Sequence, residues 1–193
     1  TEPNKILDLE QQFYNNLYTS KGVDKPSADY FLCNNNIPKL TETYREYCDA
    51  AINMEECEAA LKHLPNDKAP GSDGFTTNFY KHFWPEIKEL VFDSLIHAFD
   101  KREMSIEQKR GILSLVPKKD KDLRSLKNWR PISLLNTDFK LLTKLLAIRI
   151  HSVIGDLVNP YQFAYIKGRY IVQNIRTITD SIDYIKSTKS VGS

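Results

Sequence analysis

Cysteine, glycine, histidine and long apolar runs are all scarce in this 193-residue chain, and each scarcity excludes something. The three cysteines, Cys33, Cys48 and Cys57, form no C-x-x-C pair and leave one thiol over. That excludes a disulfide-stapled mini-protein and points to a reducing compartment. Seven glycines without a triplet period exclude a collagen-like repeat. No apolar stretch approaches the roughly 20 residues that span a bilayer, and the N-terminus lacks a signal-peptide pattern. His63, His82, His97 and His151 show neither H-E-x-x-H nor i,i+4 pairing with each other or with cysteine, so spacing offers no zinc site. The expectation is a soluble, intracellular chain with no membrane partner, whose 41% apolar content is enough for one sizeable core or two small ones.

What is present is unevenly placed. The net charge of +2 conceals 9 Lys+Arg against 17 Asp+Glu in residues 1–100, and 18 against 8 in residues 101–193. A chain divided into −8 and +10 has two halves with different tasks, the second facing something anionic.

Periodicity predicts the elements. Ile6, Leu9, Phe13 and Leu17 make residues 5–19 an amphipathic helix. Residues 20–40 mix Gly, Pro, Asn and Ser without a period and read as a linker or an extended segment. A helix opens at Asn53, with Glu56 three residues on as a capping box, and stops before Pro65. Residues 68–74 are turn-rich, the helical pattern resumes near Thr76, and Pro85 either starts a second helix or kinks the first. Residues 112–116 and 129–135 read as strands around a charged loop, Pro131 marking an edge or a strand start. A long helix follows Asn136 to about Ile154. A last one, over about 170–188, aligns Ile171, Ile175, Ile178, Ile182 and Ile185 in a stripe expected to be core. The predicted fold class is α+β, predominantly helical, with a small antiparallel hairpin packed on helices.

The chemistry-bearing residues are mostly cations. Lys118, Lys119, Lys121, Arg124, Lys127 and Arg130 fall within thirteen residues, between two apolar strands and beside Trp129. Lysines on a loop reach phosphates as mobile point charges, and a strand-held arginine grips one through two parallel hydrogen bonds. A plain solvated loop is the alternative. Lys140, Lys144 and His151 share one face of the following helix, read as solvated, while Arg149 points among leucines and needs an ion-pair partner. Asp120 with Asp122, and Asp180 with Asp183, read as solvated carboxylates rather than magnesium ligands. Neither a nucleophile elbow nor a phosphate-cradling G-x-x-x-x-G-K is present.

Five blocks in order carry a resemblance: Ala69–Gly74 (APGSDG), Leu115–Lys119 (LVPKK), Trp129–Asn136 (WRPISLLN), Lys140–Ile150 (KLLTKLLAIRI) and Gln162–Arg169 (QFAYIKGR) followed by Asn174-Ile175. Together with residues 5–19, they resemble the reverse transcriptases of LINE-type (non-LTR) retrotransposons. Ala164 and Tyr165 stand where that family has Gly-Phe, and no Tyr/Phe-x-Asp-Asp occurs. The resemblance implies an N-terminal extension over 1–52, the fingers region over 53–189 and a boundary tail over 190–193. The family's palm, with its first catalytic aspartate, is expected beyond Ser193.

For the parent protein, the resemblance implies RNA-directed DNA synthesis with Mg2+, in the nucleus and in cytoplasmic ribonucleoprotein. Its expected partners are an RNA template, an RNA–DNA or DNA primer duplex, deoxynucleotide triphosphates and the palm of the same polypeptide. It implies that Lys118, Lys119 and Arg130 bind the incoming nucleotide. Pro70, Gly71, Asp73, Gly74, Lys121, Gln162, Gly168 and Arg169 would meet the template. It supplies this stretch with no catalytic residue and no metal ligand, so the chain alone is expected to be inert. The alternative is a non-catalytic RNA- or DNA-binding module derived from such an enzyme, separated from the first reading by whether the natural frame runs on into the palm aspartates. A helical protein–protein adaptor has no use for the basic hairpin.

Overall fold

The computed structural model describes residues 3–33 and 38–189; the predicted tail and part of the predicted linker lie outside them. Helices α1 (Pro3–Tyr18), α2 (Lys25–Cys33) and α3 (Glu42–Asp49) precede the core helices α4 (Met54–His63), α5 (Thr77–His82) and α6 (Trp84–Lys101). A single turn, α7 (Ile106–Lys109), leads into strands β1 (Gly111–Pro117) and β2 (Trp129–Leu135), then α8 (Thr137–Leu157) and α9 (Val172–Lys189).

The predicted helix starts hold for chemical reasons. Asn53 accepts from the Glu56 amide while the Glu56 carboxylate accepts from the Asn53 amide, closing the capping box of α4. Thr76 caps α5 one way only, its hydroxyl oxygen accepting from the Phe79 amide. Pro85 sits in the first turn of α6, where its missing N–H costs nothing, so it opens a second helix instead of kinking one. The core lies where α4, α5, α6 and α8 meet, around Cys57, Ala60, Leu61, Tyr80, Leu95, Leu141 and Leu145. Burial pushes the Cys57 thiol up to about 11, so this cysteine is packing and not a nucleophile.

Arg149 has the predicted partner. It is 3% exposed and grips Glu56 with two bonds, Nε to Oε1 at 2.8 Å and Nη2 to Oε2 at 2.7 Å. Its remaining donors reach the carbonyls of Cys48, Ala50 and Ala51. The segment between α3 and α4 is thereby tied to α8, and Ile52 is carried into the core.

Two expectations fail, and one helix is unforeseen. Residues 25–33 of the supposed linker are helical: Pro26 lies in the first turn, and Asp24 starts the helix by accepting from the Ser27 hydroxyl and the Ala28 amide. Helix α3, which no expectation covered, is started by Thr41 accepting from the Tyr44 amide. The isoleucine stripe forms, Ile171 just before α9 and the other four on it, but is not core, since its five members are between 46% and 64% exposed. Among the described residues no other element packs extensively on α9, so the helical period aligned the stripe without burying it.

Candidate nucleic-acid and nucleotide interface

The hairpin is an antiparallel pair running from Gly111 opposite Leu135 to Pro117 opposite Trp129. Residues directly opposite share a face, so Ile112, Ser114 and Val116 lie with Leu134, Ile132 and Arg130. Most of that face is exposed, with Arg130 standing beside Val116 and Ile132. The other face carries Leu115 and Trp129, which with Ile6, Leu9 and Phe13 of α1 line a groove of about 970 Å³. Pro131 costs no ladder bond that matters, because in a two-stranded sheet both strands are edges.

The connecting loop is built, not loose. The Lys118 amide donates to the Asn128 carbonyl at 2.8 Å and its ammonium to the Lys127 carbonyl at 2.6 Å. Asp122 accepts from the backbone and side chain of Arg124; those bonds, the backbone one foremost, hold its carboxyl below the ordinary range. The Trp129 indole donates to the Leu123 carbonyl at 2.9 Å. Lys119, Lys121, Lys127 and Arg130 are exposed, which both a phosphate-reaching and a merely solvated loop require. Lys118 is half-buried, and its ammonium is already bonded within the loop.

The 69–75 loop sits at the hairpin's base, held by the first turn of α8. Gly71 is buried, and a Cβ there would fall 2.0 Å from Asn136 Oδ1 and 2.4 Å from its amide nitrogen. Asn136 Oδ1 accepts from the Ser72 hydroxyl at 3.3 Å and the Asp73 amide at 3.4 Å, while its Nδ2 donates to the Glu107 carbonyl at 3.0 Å. Thr137 donates to the Phe75 carbonyl at 2.8 Å, and Lys140 to the Ala69 carbonyl at 3.1 Å. Lys140 is therefore a loop anchor and not part of a merely solvated stripe. Gly74 closes the turn with its amide on the Gly71 carbonyl, at φ +78 in open space. Pro70 is half-buried and Asp73 exposed, its carboxylate accepting from the Phe75 amide. Burial, chiefly, raises the Asp138 carboxyl, with the Asp73 charge adding to it.

The third predicted group lies elsewhere. Gln162, Gly168 and Arg169 follow the far end of α8, a helix of 21 residues spanning about 30 Å. Gln162 is exposed and Gly168 sits at φ +80 in open space. Arg169 turns inward, donating to the carbonyls of Gly155, Val158, Asn159 and Gln162 at 2.7–3.1 Å, and so closes the end of α8. Tyr165, in the position of the family's Phe, takes φ +62 and is 97% exposed. The structure thus joins the 69–75 loop to the hairpin and leaves 162–169 at the opposite end of α8.

Among the described residues no three or more His, Cys, Asp or Glu gather where they could hold a metal ion. Asp180 instead pairs with Arg176 at 3.9 Å on α9. No helix among those residues is long and apolar enough to cross a membrane.

No protein-family model matches the chain. It is 34% identical over 187 residues, 97% of its length, to the uncharacterized 149 kDa protein of transposon TX1 from Xenopus laevis, of which it covers 14%. It is 26% identical over 158 residues to the probable RNA-directed DNA polymerase from transposon BS of Drosophila melanogaster, spanning 74% of this chain and 17% of that one. A further match, 28% over 136 residues, is to the probable RNA-directed DNA polymerase from transposon X-element of the same organism, covering 67% of this chain and 15% of that one. The chain therefore spans about a sixth of the length of these curated relatives. The match to TX1 runs through all five sequence blocks, and the helix–hairpin–helix order is the one those blocks imply. The chain is a relative of the LINE-type retrotransposon reverse transcriptases.

Proposed function

We propose that this chain is the fingers region, with an N-terminal extension over 1–52, of an RNA-directed DNA polymerase. It binds template and incoming deoxynucleotide triphosphate without performing the chemistry. The observation that carries the reading is the hairpin: its open face bears Arg130 at the strand start, and the adjoining loop exposes Lys119, Lys121 and Lys127. Arg130 is fixed in direction by the ladder and suits one triphosphate. Lys119, and Lys118 if it leaves the Lys127 carbonyl, add mobile charge. Lys121 in the connecting loop and the Pro70–Gly74 loop at the hairpin base meet the template at opposite ends of the hairpin, the latter offering backbone close to phosphates. Gln162 and Gly168 extend that path at the far end of α8, with Arg169 shaping the loop that presents them.

In polymerases of this class, two Mg2+ ions held by carboxylates activate the primer hydroxyl and stabilise the leaving pyrophosphate. The described residues gather no such carboxylate set, so no step is assigned to a metal here.

The test is salt-dependent binding of a fluorescent RNA–DNA duplex. Affinity falls as salt rises, because each phosphate contact releases counterions. Replacing Lys118, Lys119 and Lys121 by alanine lowers the slope by up to about one unit per lysine that touches phosphate, with Lys118 contributing least. Arg130→Ala affects triphosphate binding more than duplex binding. If it weakens the duplex as much as the triple change and leaves the nucleotide untouched, the nucleotide role is wrong and the hairpin is a general nucleic-acid surface.

A further inference from the structure

Asn136 stands at the start of α8, where an asparagine ordinarily turns its side-chain oxygen onto its own helix, yet it makes no such bond. The side chain is 4% exposed and spent on two other segments: its oxygen on Ser72 and the Asp73 amide, its nitrogen on the Glu107 carbonyl. The partners lie 64, 63 and 29 residues away in sequence. Directly before it is Leu135, the last residue of the strand that carries Arg130. Against it lies Gly71, whose missing Cβ is the condition for this approach. A buried amide that forgoes its local bond to hold a loop against a strand end is placed for registration.

We infer that Asn136 is a positioning residue: it sets the 69–75 loop against the base of the β1–β2 hairpin, so that template and nucleotide surfaces keep a fixed offset. This rests on the nucleic-acid reading above. It assigns Asn136 no contact with either ligand. Thr137 and Lys140, bonded to the Phe75 and Ala69 carbonyls, hold the loop's ends, while Asn136 holds its middle.

Asn136→Ala in the full 193-residue chain is compared with the unaltered chain by two measurements, both far below the melting temperature. Amide exchange at Asp73 reads the joint directly, because that amide donates to Asn136. It is expected to quicken about tenfold or more while α4 and α8 amides keep their protection. Affinity for a fluorescent RNA–DNA duplex is expected to fall about fivefold, with the salt slope set by the hairpin lysines unchanged. Should the alanine variant not fold, Ser72→Ala combined with Thr137→Val loosens the same loop without altering charge and is expected to shift both readouts the same way. Equal duplex affinity in the variant and the unaltered chain overturns the positioning role alone. Unchanged exchange at Asp73 overturns it equally. Failure of the unaltered chain to bind the duplex overturns the nucleic-acid reading, and this inference with it.

Discussion

At the scale of single residues, two glycines in one turn carry different constraints. Gly71 has no room for a side chain, since a Cβ would overlap the Asn136 backbone, which cannot swing aside. Gly74 has space but takes φ +78, a conformation that an L side chain enters at roughly 1–2 kcal/mol. Gly71→Ala is therefore expected to destabilise the fold by about 1–3 kcal/mol and to displace the loop. Gly74→Ala should cost about 1 kcal/mol and leave the loop in place. Urea melts with amide exchange over 71–75 separate the two, and equal effects would refute the packing argument at Gly71. Only the turn was legible in the sequence; the overlap depends on a residue 65 positions away.

Elements are joined by the Arg149 fork, and its loss is felt between them. Removing it strands the Glu56 carboxylate and three carbonyls, so Arg149→Ala is expected to lower stability by about 3–5 kcal/mol in chemical denaturation. The arginine's hydrogen bonds, foremost, hold the Glu56 carboxyl below its ordinary value. Between the lowered folded value and the unfolded one the unfolded state binds more protons, so stability rises with pH across that window. The contribution is thus complete above about pH 4.3 and lost as pH falls through the folded value. Glu56→Gln should flatten this part of the acid melting profile, and an unchanged profile would show that the pair does not govern it. Helix α9 yields the opposite expectation. Its isoleucines are exposed, so Ile178→Lys with Ile182→Lys should change stability by less than about 0.5 kcal/mol per site. A drop of several kcal/mol would mean that the stripe is packed after all.

At the scale of the whole molecule, the expectation to be tested is that binding and catalysis separate. The described residues bring cations to one edge of the helical core and gather no carboxylate set for metal. Primer extension by the chain with deoxynucleotides and Mg2+ is expected to give no product above a no-enzyme control, while the same preparation retains the duplex. Template-dependent product from a preparation free of other polymerases would reverse this. The chain's −8 and +10 halves acquire a structural meaning here, because residues 101–193 include the hairpin and α8, and residues 1–100 supply most of the core helices they rest on.

The sequence by itself determined whatever rests on neighbours along the chain: the Asn53 capping box, the hairpin with its six cations, and the ordered blocks that identify the family, whereas it left Pro85 open between a helix start and a kink. Helix α2 escaped because it is short and set in a stretch rich in Gly, Pro, Asn and Ser that imitates a loop, although Asp24 and Pro26 are helix-start chemistry. Tertiary structure alone decided burial and partnership. An isoleucine period fixes which residues share a helix face, but burial requires a second surface, and no element packs extensively on α9 among the described residues. Arg149 announced its need for a partner without naming Glu56, 93 residues away. Lys140 read as a solvated cation and Arg169 as a template contact, yet in the fold both donate hydrogen bonds to backbone carbonyls, 71 and 7–14 residues away respectively. Asn136 read as the start of a helix because its long-range partners leave no local trace, and only the folded chain brings Gly71 and Asp73 to its amide.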